Sequence, residues 1–431
     1  MKQEIKSNGK ILILYYHNLG YPMRNTNELM LFCFRKYSNQ LCYYVNAAFG
    51  IPKYLLDINF DLVIYHVLLL SKRSFPKRFR KFMKNAQILK KVSGIKAAIV
   101  QDEFKNTSLL NQFLVEFKIE YIFSAAKESE WKKVYPLIYP EKAKFITVLT
   151  GYIDEDLVHT ISNLEKRYPE RMIDIGYRTT PLRYQLGTQG LLKQKIADVF
   201  LRKSSENNLL IDISTDPRDA FLGSDWFKFL LKCKYTLGVE SGSSIIDPDG
   251  SVQRCVEKLM IMMPKATFNE AKKACFPDKD GNLSLFTIGP RHLEACITKT
   301  CQILVEGEYN GILKPWEHYI PVKKDFSNIN EIIKIIIKDQ LRKAITEKAY
   351  QDIVSSDKYL YQNFVRLIIE TCLKGKEPKG DITEKDMSIF KINEKREKII
   401  WLWIPIRSFF LNNIIKLLPR KIIYILTRWQ D

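Results

Sequence analysis

The sequence contains no stretch of eighteen uncharged apolar residues, and its first ten residues (MKQEIKSNGK) are polar rather than a cationic start before an apolar core. Neither a membrane-spanning helix nor a secretion signal is therefore expected. Cysteine is sparse: eight in 431 residues, at positions 33, 42, 233, 255, 275, 296, 301 and 372, with no pair at metal-ligand spacing. That argues against a disulfide scaffold or a cysteine metal site, and predicts buried thiols in a reducing compartment. No internal repeat or low-complexity tract occurs.

What the chain has in excess is positive charge, +20 net and unevenly placed. Residues 72–91 carry nine cations (Lys72, Arg73, Lys77, Arg78, Arg80, Lys81, Lys84, Lys90, Lys91) and no acid; residues 395–431, from Lys395 to Asp431, carry eight basic and two acidic residues. Two patches on a nearly neutral body point to one anionic surface touched at two places, a lipid leaflet or a nucleic acid. Phe75, Phe79 and Phe82 interleave with the first patch; Trp401, Trp403, Phe409, Phe410, Ile414, Ile415, Leu417, Leu418 and Trp429 accompany the second. This mixture suits an interfacial helix on an anionic membrane. The alternative is a tail that packs on the domains as an ordinary amphipathic helix. No single-strand stacking or helix-turn-helix module is recognisable, so nucleic acid is not the expected partner.

With 431 residues and 46% apolar content, the chain has the length of about two domains. Short β-branched and aromatic runs alternate with helical segments: KILILYY at 10–16, DLVIYH at 61–66, AAIVQ at 97–101, YIFS at 121–124 and FITVL at 145–149. The pattern restarts with MIDIGY at 172–177, NLLIDI at 208–213, YTLGV at 235–239 and QILVE at 302–306. Two parallel sheets covered by helices are the predicted α/β architecture. The predicted division is 1–155, 156–327, C-terminal helices over 328–390 and a basic amphipathic tail over 391–431.

In doubly wound sheets ligands sit beyond the carboxyl ends of strands, which singles out four places. Arg178 follows a strand, with Arg183, Lys193 and Lys195 near the start of a helix; an arginine fork and a helix N-terminus both suit phosphate, and solvated surface cations are the alternative. Gly238, Ser241 and Gly242 form a small-residue loop after a strand, without the lysine of a P-loop or the spacing of a dinucleotide fingerprint. Asp247 and Asp249 could imitate a metal-binding pair, but Pro248 and Gly250 favour a turn. Arg291, His292 and Glu294 open a helix, where a carboxylate in the first turn could accept ribose hydroxyls, a simple helix-start role for Glu294 being the alternative. Glu306, Gly307, Tyr309, Asn310 and Gly311 follow another strand and offer amides to a diphosphate.

Taken together and in order, IGYR at 175–178, LGVESGSSIIDPDGS at 237–251, GPRHLEA at 289–295 and EGEYNGILKPWEHYIP at 306–321 resemble glycosyltransferases of bacterial polysaccharide and surface-glycan clusters. These are the group 1 and the spore-maturation (CgeB-like) transferases. The likeness extends to DEF at 102–104 and LTGYIDE at 149–155, so it spans roughly residues 10–330. It implies the GT-B fold, two Rossmann-like domains facing a cleft, with an acceptor domain first and a nucleotide-sugar domain second. Glu294 would hold the ribose, Arg178 and Lys193 would lie near the diphosphate, and no metal or further cofactor would be needed. Where retaining members carry a second glutamate, this chain has Phe286. An inverting transfer needs a base, and the candidates are Asp102, Glu103 and His17. The expected activity is transfer of a sugar to a lipid-linked glycan on the cytoplasmic face of a membrane. A sugar-nucleotide epimerase of the same fold and a non-enzymatic nucleic-acid binder are the alternatives.

Overall fold

The computed structural model describes residues 9–18, 23–179, 184–221, 223–375 and 381–416. These fall into two compact units. The first takes its residues from Met1–Ser124, Tyr135–Thr147 and Val365–Asp431, the second from Ala125–Val134 and Val148–Phe364.

The first unit is built on six strands, β1 (Lys10–Tyr15), β2 (Leu41–Asn46), β3 (Leu62–Tyr65), β4 (Ile95–Val100), β5 (Tyr121–Ser124) and β6 (Lys144–Thr147). Their order is β2-β1-β3-β4-β5-β6 and every pairing is parallel. Strands β1, β3 and β4 are buried along their whole length, as expected of near-continuous apolar runs with both faces covered. Helices Asn25–Tyr37, Pro76–Asn85 and Thr107–Glu116 lie between strands, and the long helix Glu384–Lys416 returns to pack beside β2.

The second unit adds β7 (Ile173–Arg178), β8 (Ile211–Ser214), β9 (Cys233–Gly238), β10 (Ser241–Ser243), β11 (Leu285–Thr287), β12 (Cys301–Val305) and β13 (Tyr319–Val322). Its main sheet, β13-β12-β9-β7-β8, is parallel throughout, and β10 and β11 form a separate antiparallel ribbon. Taken in chain order, both units place their second strand outside the first and the third on its other side. Each therefore has a switch point, β1/β3 in one and β7/β9 in the other, where a doubly wound sheet opens a crevice. Ile196 and Phe200 of helix Thr188–Glu206, with Ile332 and Ile336 of helix Ile329–Lys338, close one core against Ile175, Tyr235 and Ile303. Burying each such side chain contributes about 1.5–3 kcal/mol. Leu293 and Ile297 of helix Pro290–Ile297 and Phe227 and Leu231 of helix Ser224–Lys232 build a second core with Leu304.

Three expectations change. Helices Ile329–Lys338 and Arg342–Ala349 belong to the second unit while helix Glu384–Lys416 belongs to the first, so residues 328–390 are not one segment. Two cysteines are not free thiols: Cys255 in helix Ser251–Met262 is bonded to Cys275 in helix Phe268–Cys275, with Cα atoms 5.4 Å apart. The other six are buried thiols. The described part of the tail docks on the first unit, because Ile400 and Ile404 are buried and Trp401 stacks on His17 at 5.5 Å. Its side chains beyond Phe409, including Phe410, Ile414, Ile415, Leu417, Leu418 and Trp429, lie outside the described residues. Among the described residues no helix is long and apolar enough to cross a membrane.

Candidate active site

At the carboxyl edge of the second unit's sheet, segments far apart in sequence meet. β9 ends at Gly238, where a Cβ would fall 2.7 Å from Leu304 Cδ2 and 3.3 Å from His292 Nε2. The glycine thus lets the start of helix Pro290–Ile297 rest against the strand. His292 is the third residue of that helix and accepts the N–H of the N-cap Gly289 on Nδ1 at 3.0 Å. This assignment leaves its proton on Nε2. Burial, helped by the charges of Lys193 and Arg291, lowers the His292 pKa to about 4, so the ring is neutral near pH 7. A Cβ on Gly289 would sit 2.8 Å from Ser241 Oγ, which brings the β10 turn to the same place.

Gly242 has φ +121°, and a Cβ there would overlap the Leu285 carbonyl oxygen; only glycine allows the β10–β11 ribbon to approach this closely. The loop after β12 is held from below by Glu240, a residue the sequence reading passed over although it sits inside the small-residue motif. Glu240 is buried, accepts the Tyr309 N–H at 2.7 Å, and fills the space a Cβ on Gly307 would need. Burial raises its pKa above the usual carboxylate value, a trend the Tyr309 N–H opposes. The signal available in the sequence was an acid directly after an apolar strand. Tyr309, Asn310 and Gly311 all have positive φ, at 43°, 55° and 72°. Tyr309 Oη donates to the Val305 carbonyl at 2.6 Å, and its ring meets His292 edge-on at 5.2 Å. Asn310 Oδ1 accepts the Ile288 N–H at 2.7 Å. The amides of Tyr309 and Gly311 are turned inward, to Glu240 and the Glu308 carbonyl, whereas Glu306 is exposed. The loop therefore offers fewer main-chain donors than its glycines suggested.

Two predicted ligand residues are engaged in the fold. Arg178 is buried and donates to the carbonyls of Tyr177, Asp212 and Asp219 at 3.0, 2.8 and 3.0 Å and to Asp212 Oδ1 at 2.7 Å. Its guanidinium also lies over Phe221 and Phe229. The fork expected on a diphosphate instead ties β7 to β8 and the segment after it. Glu294 is the fifth residue of its helix, beyond the first turn, and its Oε2 accepts the Trp226 indole N–H at 2.7 Å. Arg291, exposed, lies over that indole at 4.9 Å and donates to the Arg178 carbonyl.

Lys193 is half-buried on the second turn of helix Thr188–Glu206, and Lys195 lies over Phe326. The N-terminus of this helix is not open to a phosphate: Asp280 accepts from Thr188 N and Oγ1 at 3.0 and 2.5 Å, and Ser244 Oγ bonds the same carboxylate at 2.7 Å. Arg183 lies outside the described residues. Asp247 caps helix Ser251–Met262 through the N–H groups of Val252 and Gln253, and Asp249 accepts from Ser251 N, as a turn requires.

In the first unit the acid–base candidates separate by burial. Glu103 is fully buried and accepts from Ser124 Oγ at 2.7 Å and Tyr135 Oη at 3.1 Å. His17 is buried, linked through its backbone to the Asn46 side chain, with its pKa lowered to about 4 by burial and then by the charge of Lys72. Asp102 alone of the three is exposed, at φ 51°. Arg73, expected on the surface, is buried beneath this loop and donates to the carbonyls of Leu70, Gln101, Asp102 and Lys105 at 2.9, 2.7, 2.5 and 3.0 Å. Phe79 is likewise in the core, against Phe113, so it cannot enter a bilayer. Lys77, Arg80, Lys81, Lys84 and Lys91 remain exposed.

No protein-family model and no curated protein matches the chain. Solved structures with a similar course of chain include HepE of Anabaena in complex with UDP and glucose (12% identity, 85% of this chain and 100% of that one, TM-score 0.49). Others are an alpha-glucosyltransferase in complex with UDP-glucose and abasic DNA (11%, 85% and 99%, 0.48) and the trehalose-6-phosphate synthase OtsA (9%, 85% and 99%, 0.45).

Proposed function

We propose that the chain is a glycosyltransferase of the GT-B type that moves a sugar from a nucleotide-sugar donor to a lipid-linked glycan at a membrane's cytoplasmic face, in polysaccharide or surface-glycan assembly. The observation that carries this reading is the meeting of Gly238, Ser241, Gly289, His292 and Tyr309 at one sheet edge. Four segments, the end of β9, the β10 turn, the start of helix Pro290–Ile297 and the loop after β12, gather there at the carboxyl edge of a doubly wound sheet, where such sheets bind their ligands.

Transfer requires the growing charge on the leaving diphosphate to be neutralised. Lys193 and Arg291, whose charges both act on His292, take this role in place of Arg178. His292, neutral with a proton on Nε2, adds a donor without adding charge. Glu240 would repel a diphosphate if fully charged, and burial reduces that tendency. No metal or other cofactor is invoked. Asp102, held by the Arg73 clamp at an exposed turn, is the base, while Glu103 and His17 keep the surrounding frame.

The test is a panel of sugar nucleotides screened by thermal shift, since a ligand held only by the folded state raises its melting temperature. At least one should do so, and Lys193→Ala with Arg291→Ala should weaken it by about tenfold or more. Absence of any stabilising donor would sink the reading. Nucleoside diphosphate released without acceptor, together with a changed sugar, would point to an epimerase instead.

A further inference from the structure

The carboxyl ends of β1 and β2 and helix Pro76–Asn85 enclose a cavity of about 470 Å³, lined among others by Tyr16, Asn18, Gly50, Arg78, Lys81 and Arg407. Its volume is that of a small-molecule site. Its place is that of one as well, because it lies beyond the carboxyl ends of parallel strands. Of its twelve lining residues three are cations and none is an acid. Arg78 and Lys81 stand three residues apart on one helix face, and Arg407 comes from the distant C-terminal helix. Neither Lys81 nor Arg407 forms an ion pair among the described residues. The lining of this hollow is therefore positive, which favours an anion there.

The helix that supplies Arg407 carries a second feature. Ile399, Leu402, Trp403, Ile406 and Phe409 are exposed, Leu402 and Phe409 by 69% and 66%. Their spacing puts them on one side of the helix, opposite the side that buries Asn393, Glu397, Ile400 and Ile404. On the helical wheel Arg407 lies at the border of the two sides. An apolar stripe thus runs up to a cationic cavity, which is the pattern complementary to an amphiphile with a multiply charged anionic head.

We infer that this cavity seats the phosphate or diphosphate through which the acceptor glycan is joined to its lipid, with the start of the lipid chain lying along the Leu402–Trp403–Ile406–Phe409 stripe. The inference rests on the proposed transfer to a lipid-linked acceptor and locates that acceptor's head. Charge-assisted hydrogen bonds from Arg78, Lys81 and Arg407 would hold the phosphate oxygens.

The experiment measures binding of farnesyl diphosphate in detergent, and of inorganic pyrophosphate, to the full chain by calorimetry. Farnesyl diphosphate should bind, and more tightly than pyrophosphate. Lys81→Glu and Arg407→Glu should each weaken both by about tenfold or more, and Trp403→Glu should weaken only the prenyl ester. Lys81→Ala, a milder change at an exposed site, should weaken both in the same direction should the charge reversal disturb folding. Unaltered binding in the Lys81 and Arg407 variants would overturn the site. Equal affinity for pyrophosphate and farnesyl diphosphate would overturn the lipid assignment, and so would loss of binding to anionic-lipid vesicles with farnesyl diphosphate unaffected. Sugar-nucleotide stabilisation is recorded in the same variants and should not change. A chain that binds farnesyl diphosphate but no donor would refute the transferase reading and spare the cavity; the reverse would do the opposite.

Discussion

Glu397, in the last helix, accepts a hydrogen bond from Tyr15 Oη at the end of β1, 2.6 Å away and 382 positions earlier in the chain. Its other oxygen receives the Asn46 N–H at 3.2 Å and an Arg396 guanidinium N–H at 2.6 Å. Nearby, Lys10 Nζ pairs with Asp386 at 3.2 Å, buried on both sides, and Asn393 donates to the Tyr44 carbonyl at 2.9 Å. The helix is therefore a structural layer of the first unit, whatever its outer face does. Removing residues 381–431 should destabilise that unit markedly. Glu397→Ala should cost about 2–4 kcal/mol and Tyr15→Phe about 1–2, because each leaves a buried polar partner unsatisfied. Urea unfolding curves check this, and a truncated chain with an unchanged midpoint would contradict it.

The tail also shows where sequence patterning stops. Its period-3.6 apolar spacing was legible, but which side would dock depended on Tyr15, Tyr43 and Tyr44, residues brought together only by the sheet. Most strands could be read because a doubly wound sheet buries both faces and writes continuous apolar runs. Strand β2 was missed, as was β13, which carries Pro321; both are edge strands, where such a residue is tolerated. At the candidate site the glycines at 238, 242 and 307 pointed to a ligand, whereas Leu304 and His292, the Leu285 carbonyl and Glu240 take up the space beside them, contacts made only by the folded chain. The place of Arg178 was not legible, since Asp212, Asp219, Phe221 and Phe229 reach it from other elements. The Cys255–Cys275 bond was hidden for the same reason: a separation of 20 residues means nothing until two helices face each other.

Arg178→Ala should behave as a stability mutation. The guanidinium is buried, makes four hydrogen bonds and pairs with Asp212, so its loss strands three carbonyls and a carboxylate. A loss of about 3–5 kcal/mol is expected, with donor affinity of the still-folded fraction little changed. Lys193→Ala should show the opposite split. Denaturant midpoints compared with donor titrations would decide it, and a stable Arg178→Ala protein with weakened donor binding would return the arginine to the diphosphate.

Gly242→Ala probes the ribbon that backs the site. The substitution meets both a φ of +121° and the Leu285 carbonyl oxygen, a rigid main-chain atom that cannot step aside as a flexible side chain can. The combined backbone strain and overlap should cost about 2–4 kcal/mol. Gly223, at φ +57° with open space around it, serves as the control: alanine there should lose only the conformational part, about 1 kcal/mol. Thermal melts of the two variants should separate clearly. Equal losses would mean that the β10–β11 approach is looser than described.

Acid should weaken the fold through its buried imidazoles, and His292 is the one whose effect bears on the site. Its pKa of about 4 when folded lies below the ordinary value of about 6.5 that an unfolded chain would show. The unfolded state therefore binds the proton more tightly, so the stabilising contribution is complete above about pH 6.5 and is lost as pH falls toward 4. A displacement of this size corresponds to roughly 3 kcal/mol. Glu240 and Glu397 act in the other direction, because burial raises their pKa values and favours the protonated form in the fold. The total pH profile mixes these contributions, so the informative quantity is the difference between the native chain and His292→Gln. In that variant the decline in unfolding free energy between pH 6.5 and 4 should be shallower by about the His292 share. Parallel profiles for the two proteins would show that folding leaves the His292 pKa unshifted, and a decline shallower in the native chain than in the variant would show a ring that is protonated in the fold; either result would contradict the buried neutral imidazole assigned to the diphosphate.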